Sequence, residues 1–272
     1  MRLWFWAAAV VATLAPLAAA APAAAQTAEE RRQLDWVLAR GQLLFGLDRA
    51  AWVATDDMLE RIPDAEASGI RGYVVERNAD GFLVTFYARE GERLLAGYRA
   101  QVASGGVTRP QVFQGAARPE LTPAQARLAR AVETVRGNTA GLQGCGRAPY
   151  NMATVPPSTP DGPIDVYLMT PQVDNAYPLG GHHRITLDAS GREVGRRSFA
   201  RSCIALSKAP PEAGAQVAGM VVSHLLDPVP TEIHVFSSMA AQMPVYVMIP
   251  QPRRLFEVTG RTISLVDEPR RP

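Results

Sequence analysis

Between Gly72 and Ala88 the chain carries two runs rich in Val, Tyr and Phe, separated by Asn78-Ala79-Asp80-Gly81. Asp-Gly between such runs is a strong hairpin signal, because glycine admits the positive φ that a tight turn requires. The sets Phe82/Val84/Phe86 and Leu83/Thr85/Tyr87 alternate, so they point to opposite faces, and the first is the expected core face. A further strand, Arg93 to Val102, ends at Gly105-Gly106, and together these segments predict an antiparallel meander.

Helical spacing flanks the meander. Thr27 stands three residues before Glu30 in a capping-box pattern, and Leu34, Val37 and Leu38 then share one helical face up to Arg40. From Gln42 to Leu59 two periods compete. Leu43, Phe45 and Leu47 alternate as in a strand, while Trp52, Thr55, Met58, Leu59 and Ile62 keep helical spacing. The reading here is a short strand turning at Asp48-Arg49 and returning. Leu121 to Arg136 predicts a second helix, with Thr122 as N-cap, Pro123 in the first turn and Gly137 at its end.

Gly137 to Thr159 is rich in Gly, Pro, Asn and Thr and has no apolar periodicity, which marks a boundary. Beyond it, Asp165 to Met169, His182 to Leu187, Glu193 to Phe199, Val217 to Ser223, Glu232 to Phe236, Val245 to Met248, Leu255 to Val258 and Thr262 to Val266 have strand character. Turn residues join them, including Asp188-Ala189-Ser190-Gly191 and Asp227-Pro228 with Pro230. The expected core of this half is Val166, Leu168, Ile185, Leu187, Val221, Ile233, Val235, Val245, Val247 and Ile263. The fold class is therefore α+β: N-terminal helices with an antiparallel meander, then a mostly antiparallel β domain, sandwich-like or a curled sheet. The expected division is 1–25 leader, 26–136 α+β region, 137–159 linker-like stretch and 160–268 β-rich domain.

The leader sets the compartment. Arg2 gives a positive start, Leu3 to Leu17 an apolar run, and Ala23-Ala24-Ala25 a small-residue cleavage site ahead of Gln26: the tripartite pattern of a secretory signal peptide. Pro16 and Pro22 interrupt that run, and no later apolar stretch is long enough to span a bilayer, so no transmembrane span is expected after cleavage. The expected location is periplasmic or secreted. A leader ahead of an Arg-, Ala- and Pro-rich body resembles exported proteins of Gram-negative bacteria with GC-rich genomes, a resemblance that implies a compartment and no mechanism.

Of 28 basic residues the leader removes only Arg2, leaving 27 against 26 acidic ones. The near-neutral balance and the lack of a basic stripe exclude a nucleic-acid footprint. In an oxidising compartment the even pair Cys145 and Cys203 predicts a disulfide.

Common catalytic signatures are absent: no G-x-S-x-G, H-E-x-x-H, G-x-x-x-x-G-K, G-x-G-x-x-G or S-x-x-K occurs. All 4 histidines, His182, His183, His224 and His234, fall in the C-terminal half. On a strand, Glu232 and His234 would share a face, and with His224 and His182 or His183 they would present a zinc-like set of imidazole and carboxylate ligands. The spacing matches no established metal motif, and the expectation is that these are hydrogen-bonded structural histidines without metal. Aromatic residues Trp36, Trp52, Tyr73, Phe82, Phe86, Tyr87 and Tyr98 crowd the N-terminal half, as core or as the lining of a ligand cleft.

The sequence thus points to an exported, non-enzymatic binding or envelope-associated module with no cofactor, its partner an envelope protein or a small ligand. The alternative is a metal-dependent hydrolase using the C-terminal histidines with Glu232.

Overall fold

A computed structural model describes residues 26–104, 106–173, 176–207 and 217–266; the expected leader, 1–25, lies outside them. The first element is one long helix, α1 (Ala28–Arg61, 34 residues). Its N-cap is the one the capping pattern predicts, with Thr27 Oγ1 accepting the Glu30 N–H at 3.1 Å. The helix runs straight through Gln42 to Leu59, where a strand and turn were expected. The physical reason is the buried stripe Leu34, Val37, Gly41, Leu44, Leu47, Ala50, Ala51, Ala54 and Met58, which keeps helical spacing throughout. No proline occurs between Thr27 and Pro63. The two glycines inside α1 mark close approaches: a Cβ on Gly46 would lie 2.4 Å from the Phe82 ring, and one on Gly41 would lie 2.5 Å from Val235 Cβ.

The meander follows as β1 (Ile70–Asn78), β2 (Gly81–Glu90), β3 (Arg93–Ala103) and β4 (Gly106–Val112), antiparallel in that order. The predicted hairpin is present, with Asn78 paired to Gly81. Gly81 has φ +120°, and a Cβ there would strike the Val102 carbonyl at 2.4 Å, so only glycine fits. The core face is the one expected, with Val84 and Phe86 buried under α1. The other face is covered too: Val74, Tyr87, Leu94 and Ala96 pack beneath α2 (Pro123–Arg136). Thr122 and Gln125 close a capping box at the start of α2, as its sequence predicts.

The second half runs β5 (Asn151–Val155), β6 (Ile164–Met169), β7 (Ala176–Pro178), β8 (His183–Leu187), β9 (Glu193–Ser198), β10 (Ala205–Ser207), β11 (Met220–Ser223), α3 (Glu232–Ala241), β12 (Val245–Pro250), β13 (Arg253–Val258) and β14 (Ile263–Leu265). Strands β5-β6-β8-β9 form one antiparallel sheet, β7 and β10 a short ribbon, and β11-β12-β13-β14 a further sheet. The protein is α+β, and these sheets are antiparallel except where β11 runs parallel to β12. Strand β5 falls inside 137–159, the stretch the sequence marks as linker-like.

Residues Glu232 to Phe236, expected as a strand, open α3 instead. A parallel pair such as β11 and β12 needs a crossover, and α3 is its helix. The segment misleads because α3 is buried nearly all round, from Glu232, Ile233, His234 and Val235 to Ser237, Ser238 and Ala241, so it carries no amphipathic period, and its β-branched residues imitate a strand. One other expectation fails. Val221 is 64 % exposed, because β11 turns Met220 and Val222 inward; a shift of one residue reverses a strand's faces. Ile263 is only partly buried, and the rest of the expected C-terminal core is buried.

Helix α1 is the spine. Its first turns pack with α3 on the β11–β14 sheet, and its remainder packs on the meander, β5, β6 and Ile233 of α3. One continuous core therefore joins the α1–meander half to β5, β6 and α3.

Candidate functional site

The histidines are placed one by one. His182 is fully buried; its Nδ1 accepts the Thr170 N–H at 3.2 Å and its Nε2 donates to the Pro178 carbonyl at 3.0 Å, which assigns a neutral ring. Burial, chiefly, pushes it down to about 4. His183 faces the other way, between the Ser198 hydroxyl at 2.8 Å and the Gln143 carbonyl at 3.1 Å, and burial also lowers it. His224 and His234 do meet, edge to face at 4.8 Å between centroids. His224 bonds Asp227 through Nε2 at 2.8 Å, and Arg197 holds the same carboxylate oxygen at 2.7 Å. His234 accepts the Thr231 N–H at 2.9 Å, and burial, followed by the nearby His224 ring, pushes it down to about 3.

Glu232 does not join them. On a strand it would share a face with His234, but on α3 the two are about 200° apart around the axis. Its carboxylate accepts from the Tyr167 hydroxyl at 2.9 Å and from Arg184 at 3.3 Å. Arg184 and Arg40 both reach Asp165, and Arg40 also donates to Tyr167 at 3.1 Å. This network ties α1, β6, β8 and α3 together, and burial, then the Glu232 charge, holds the Tyr167 phenol proton well above its usual range. Among the described residues no group of three or more His, Cys, Asp and Glu side chains is placed to hold a metal ion.

The predicted disulfide is present: Cys145 and Cys203 are bonded, with Cα atoms 5.1 Å apart. It lies behind the segment that follows β6. Cys145 N–H donates to Thr170 Oγ1 at 3.2 Å, and a Cβ on Gly181 (φ +70°) would lie 2.8 Å from the Cys145 nitrogen. The bond therefore packs against Thr170 at one end of this segment and Gly180-Gly181 at the other.

That segment is one wall of the most developed cavity described, a cleft of about 540 Å³. A cleft of this size holds a small organic molecule. The second half of α1 supplies Asp48, Trp52 and Thr55; β1 supplies Tyr73; α3 supplies Phe236 and Ser237; β7 closes the rim with Tyr177 and Pro178. Among the described residues the lining carries no Lys, Arg or His, and Asp48 is its one acidic group. Among the described residues nothing donates a hydrogen bond to that carboxyl, and burial pushes it up to about 6 from the usual 3.8, against the opposing charge of Arg49. The Arg49 guanidinium instead lies over the Trp52 ring, 4.1 Å from its centre. Tyr73 donates to the Met152 carbonyl at 3.2 Å, and burial, then the Asp48 charge, pushes its phenol up to about 12.

Sequence reasoning reached Trp52 and Tyr73 as candidate lining, although their aromatic companions Phe86, Tyr87 and Tyr98 are core. It missed Asp48, which was assigned to a turn. The signal available was the helical spacing Asp48, Trp52, Thr55, which places the three on one face of α1.

Comparison with known proteins finds no family model, no curated protein and no solved structure that matches this chain.

Proposed function

We propose that this protein is a non-enzymatic binding module of the periplasm or the extracellular space, with the cleft between α1 and α3 as its ligand seat. The observation that carries the reading is the company kept there: a carboxyl with no hydrogen-bond donor among the described residues, set among aromatic rings in a cavity of ligand size. A perturbed acid in a cleft is a functional-site signature, since burying such a group lowers stability unless something else uses it. The exported location is supported by the leader pattern, by the Cys145–Cys203 bond, and by the fact that no described helix is long and apolar enough to cross a membrane.

The test is saturable binding of small aromatic compounds, followed by calorimetry and by the rise in melting temperature. Ala240→Phe, which puts a ring into the cleft from α3, is expected to abolish it. Binding that survives in Ala240→Phe would place the seat elsewhere. For the compartment, intact-mass spectrometry of the exported protein is expected to show a start within about two residues of Gln26; a product retaining Arg2 to Leu17 would contradict export by cleavage.

A further inference from the structure

We infer that the cleft takes a ligand with an aromatic or apolar body and one protonated amine, the ammonium resting against the Asp48 carboxylate. This rests on the cleft being the binding seat, and it follows from counting what the lining can donate and accept. Asp48 as a carboxylate only accepts. The Thr55 hydroxyl donates its proton to the Ala51 carbonyl at 2.7 Å, Tyr73 donates to Met152, and Ser237 donates to Pro178 at 3.5 Å. Each hydroxyl hydrogen is directed at backbone, so what these groups turn to the cleft is lone pairs. Asn151, Gln172 and Tyr177 bring donors as well as acceptors to the lining, but among the described residues none donates to Asp48, and an alkylammonium brings that carboxylate three N–H donors and a positive charge.

Charge and aromaticity agree with this count. The described lining holds no cationic side chain, and Arg49, whose charge acts on Asp48 from outside it, lies over the Trp52 ring, so an anionic ligand would meet the Asp48 carboxylate. The rings of Trp52, Tyr73, Tyr177 and Phe236 offer faces that attract cations and stack on an apolar body. Asp48 is desolvated without a donor, and an ammonium supplies the one it lacks, so part of the burial penalty already present in the free protein is returned on binding. Among the described residues the charged and titratable groups around Asp48 are Arg49 on its own helix, Tyr73 on β1, itself influenced by Arg136 of α2, and Tyr177 on β7; α3 brings none to the lining.

The experiment compares tryptamine with tryptophol, its neutral hydroxyl counterpart, by calorimetry on the intact disulfide-bonded protein. At about pH 7.5 tryptamine is expected to bind about tenfold or more tightly than tryptophol, the margin of a charge-assisted hydrogen bond. In Asp48→Asn that margin is expected to vanish. In the unaltered protein it is expected to shrink about tenfold at about pH 5, where Asp48 is mostly protonated and the amine is not affected. Equal binding of the two compounds, with no effect of Asp48→Asn, overturns the amine inference and leaves the cleft reading standing. If neither compound binds, the cleft reading falls and the inference with it.

Discussion

Asp48 of α1 and Glu232 of α3 are both withdrawn from water on the same pair of packed helices, yet their surroundings differ. Glu232, 1 % exposed, has a phenol and a guanidinium in hydrogen-bond reach, and these are tied in turn to Asp165 and Arg40. Asp48, half-buried, has the offset charge of Arg49 beside it and, among the described residues, no hydrogen-bond donor to its carboxyl. A completed network locks helices together, whereas an uncompleted one keeps an interaction in reserve. Under the proposed reading the same fold holds one acid for structure and another for a ligand, and the difference lies in the donors around each, not in burial alone.

The largest expected effect comes from removing the clamp behind the cleft. Replacing Cys145 and Cys203 together by serine reopens a loop of 58 residues and is expected to cost about 4 kcal/mol in urea unfolding by the chain-entropy account. Ligand binding is expected to weaken with it, because Thr170 to Pro178 lose their anchor, while the Glu232 network, held by α1, β6, β8 and α3, remains. Unchanged binding in this variant would detach the cleft from the disulfide.

Next in size is Glu232→Gln, which takes the nearer of two carboxylates from Arg184 and leaves it Asp165 at 3.9 Å, and is expected to destabilise by about 2 kcal/mol. The buried histidines follow. His182 and His234 have folded values of about 4 and about 3, below the usual 6.5 of the unfolded chain. The unfolded state therefore takes up protons first, so the stability they carry is complete above 6.5 and is lost as pH falls toward those folded values. The slope is about 1.4 kcal/mol per pH unit for each ring. His234→Gln is expected to flatten the fall in melting temperature between about pH 6.5 and pH 4; an unchanged profile would show that His234 titrates normally.

The smallest effect has the opposite sign. Because Asp48 is raised in the folded protein, its burial penalty is full above about 6 and absent below the unfolded value of 3.8. Asp48→Asn is therefore expected to stabilise at about pH 7.5, by about 1–2 kcal/mol once screening by solvent in the open cleft is allowed for, and to be neutral near pH 4. Two acid-to-amide changes with opposite signs, at Glu232 and Asp48, would express the contrast directly. If both destabilise, Asp48 has a partner and the contrast fails.

What the sequence discloses follows from how local each signal is. The hairpin at Gly81 and the helix N-caps at Thr27 and Thr122 are written within a few residues and are found where the pattern puts them. The cysteine pair is legible from compartment and even count. Leu43, Phe45 and Leu47 alternate by coincidence on a helix whose buried stripe lies beside them, and Ile233 and Val235 imitate a strand because α3 is enclosed on nearly every side. The cleft was illegible for a different reason. Its walls come from α1, β1, β5, the segment after β6, and α3, and no single one of these announces a shared cavity. The zinc-like set dissolved on the same ground: its premise was a strand at Glu232, and a helix turns that side chain away from His234 toward Tyr167.

The measurement closest to the central claim is a carbon-detected NMR titration of the Asp48 carboxyl, assigned by its loss in Asp48→Asn, with and without tryptamine. The free protein is expected to titrate at about 6, and the bound protein is expected to move back toward the ordinary carboxylate range as the ammonium stabilises the charged form. A midpoint near 3.8 in the free protein, unmoved by the amine, would contradict the account.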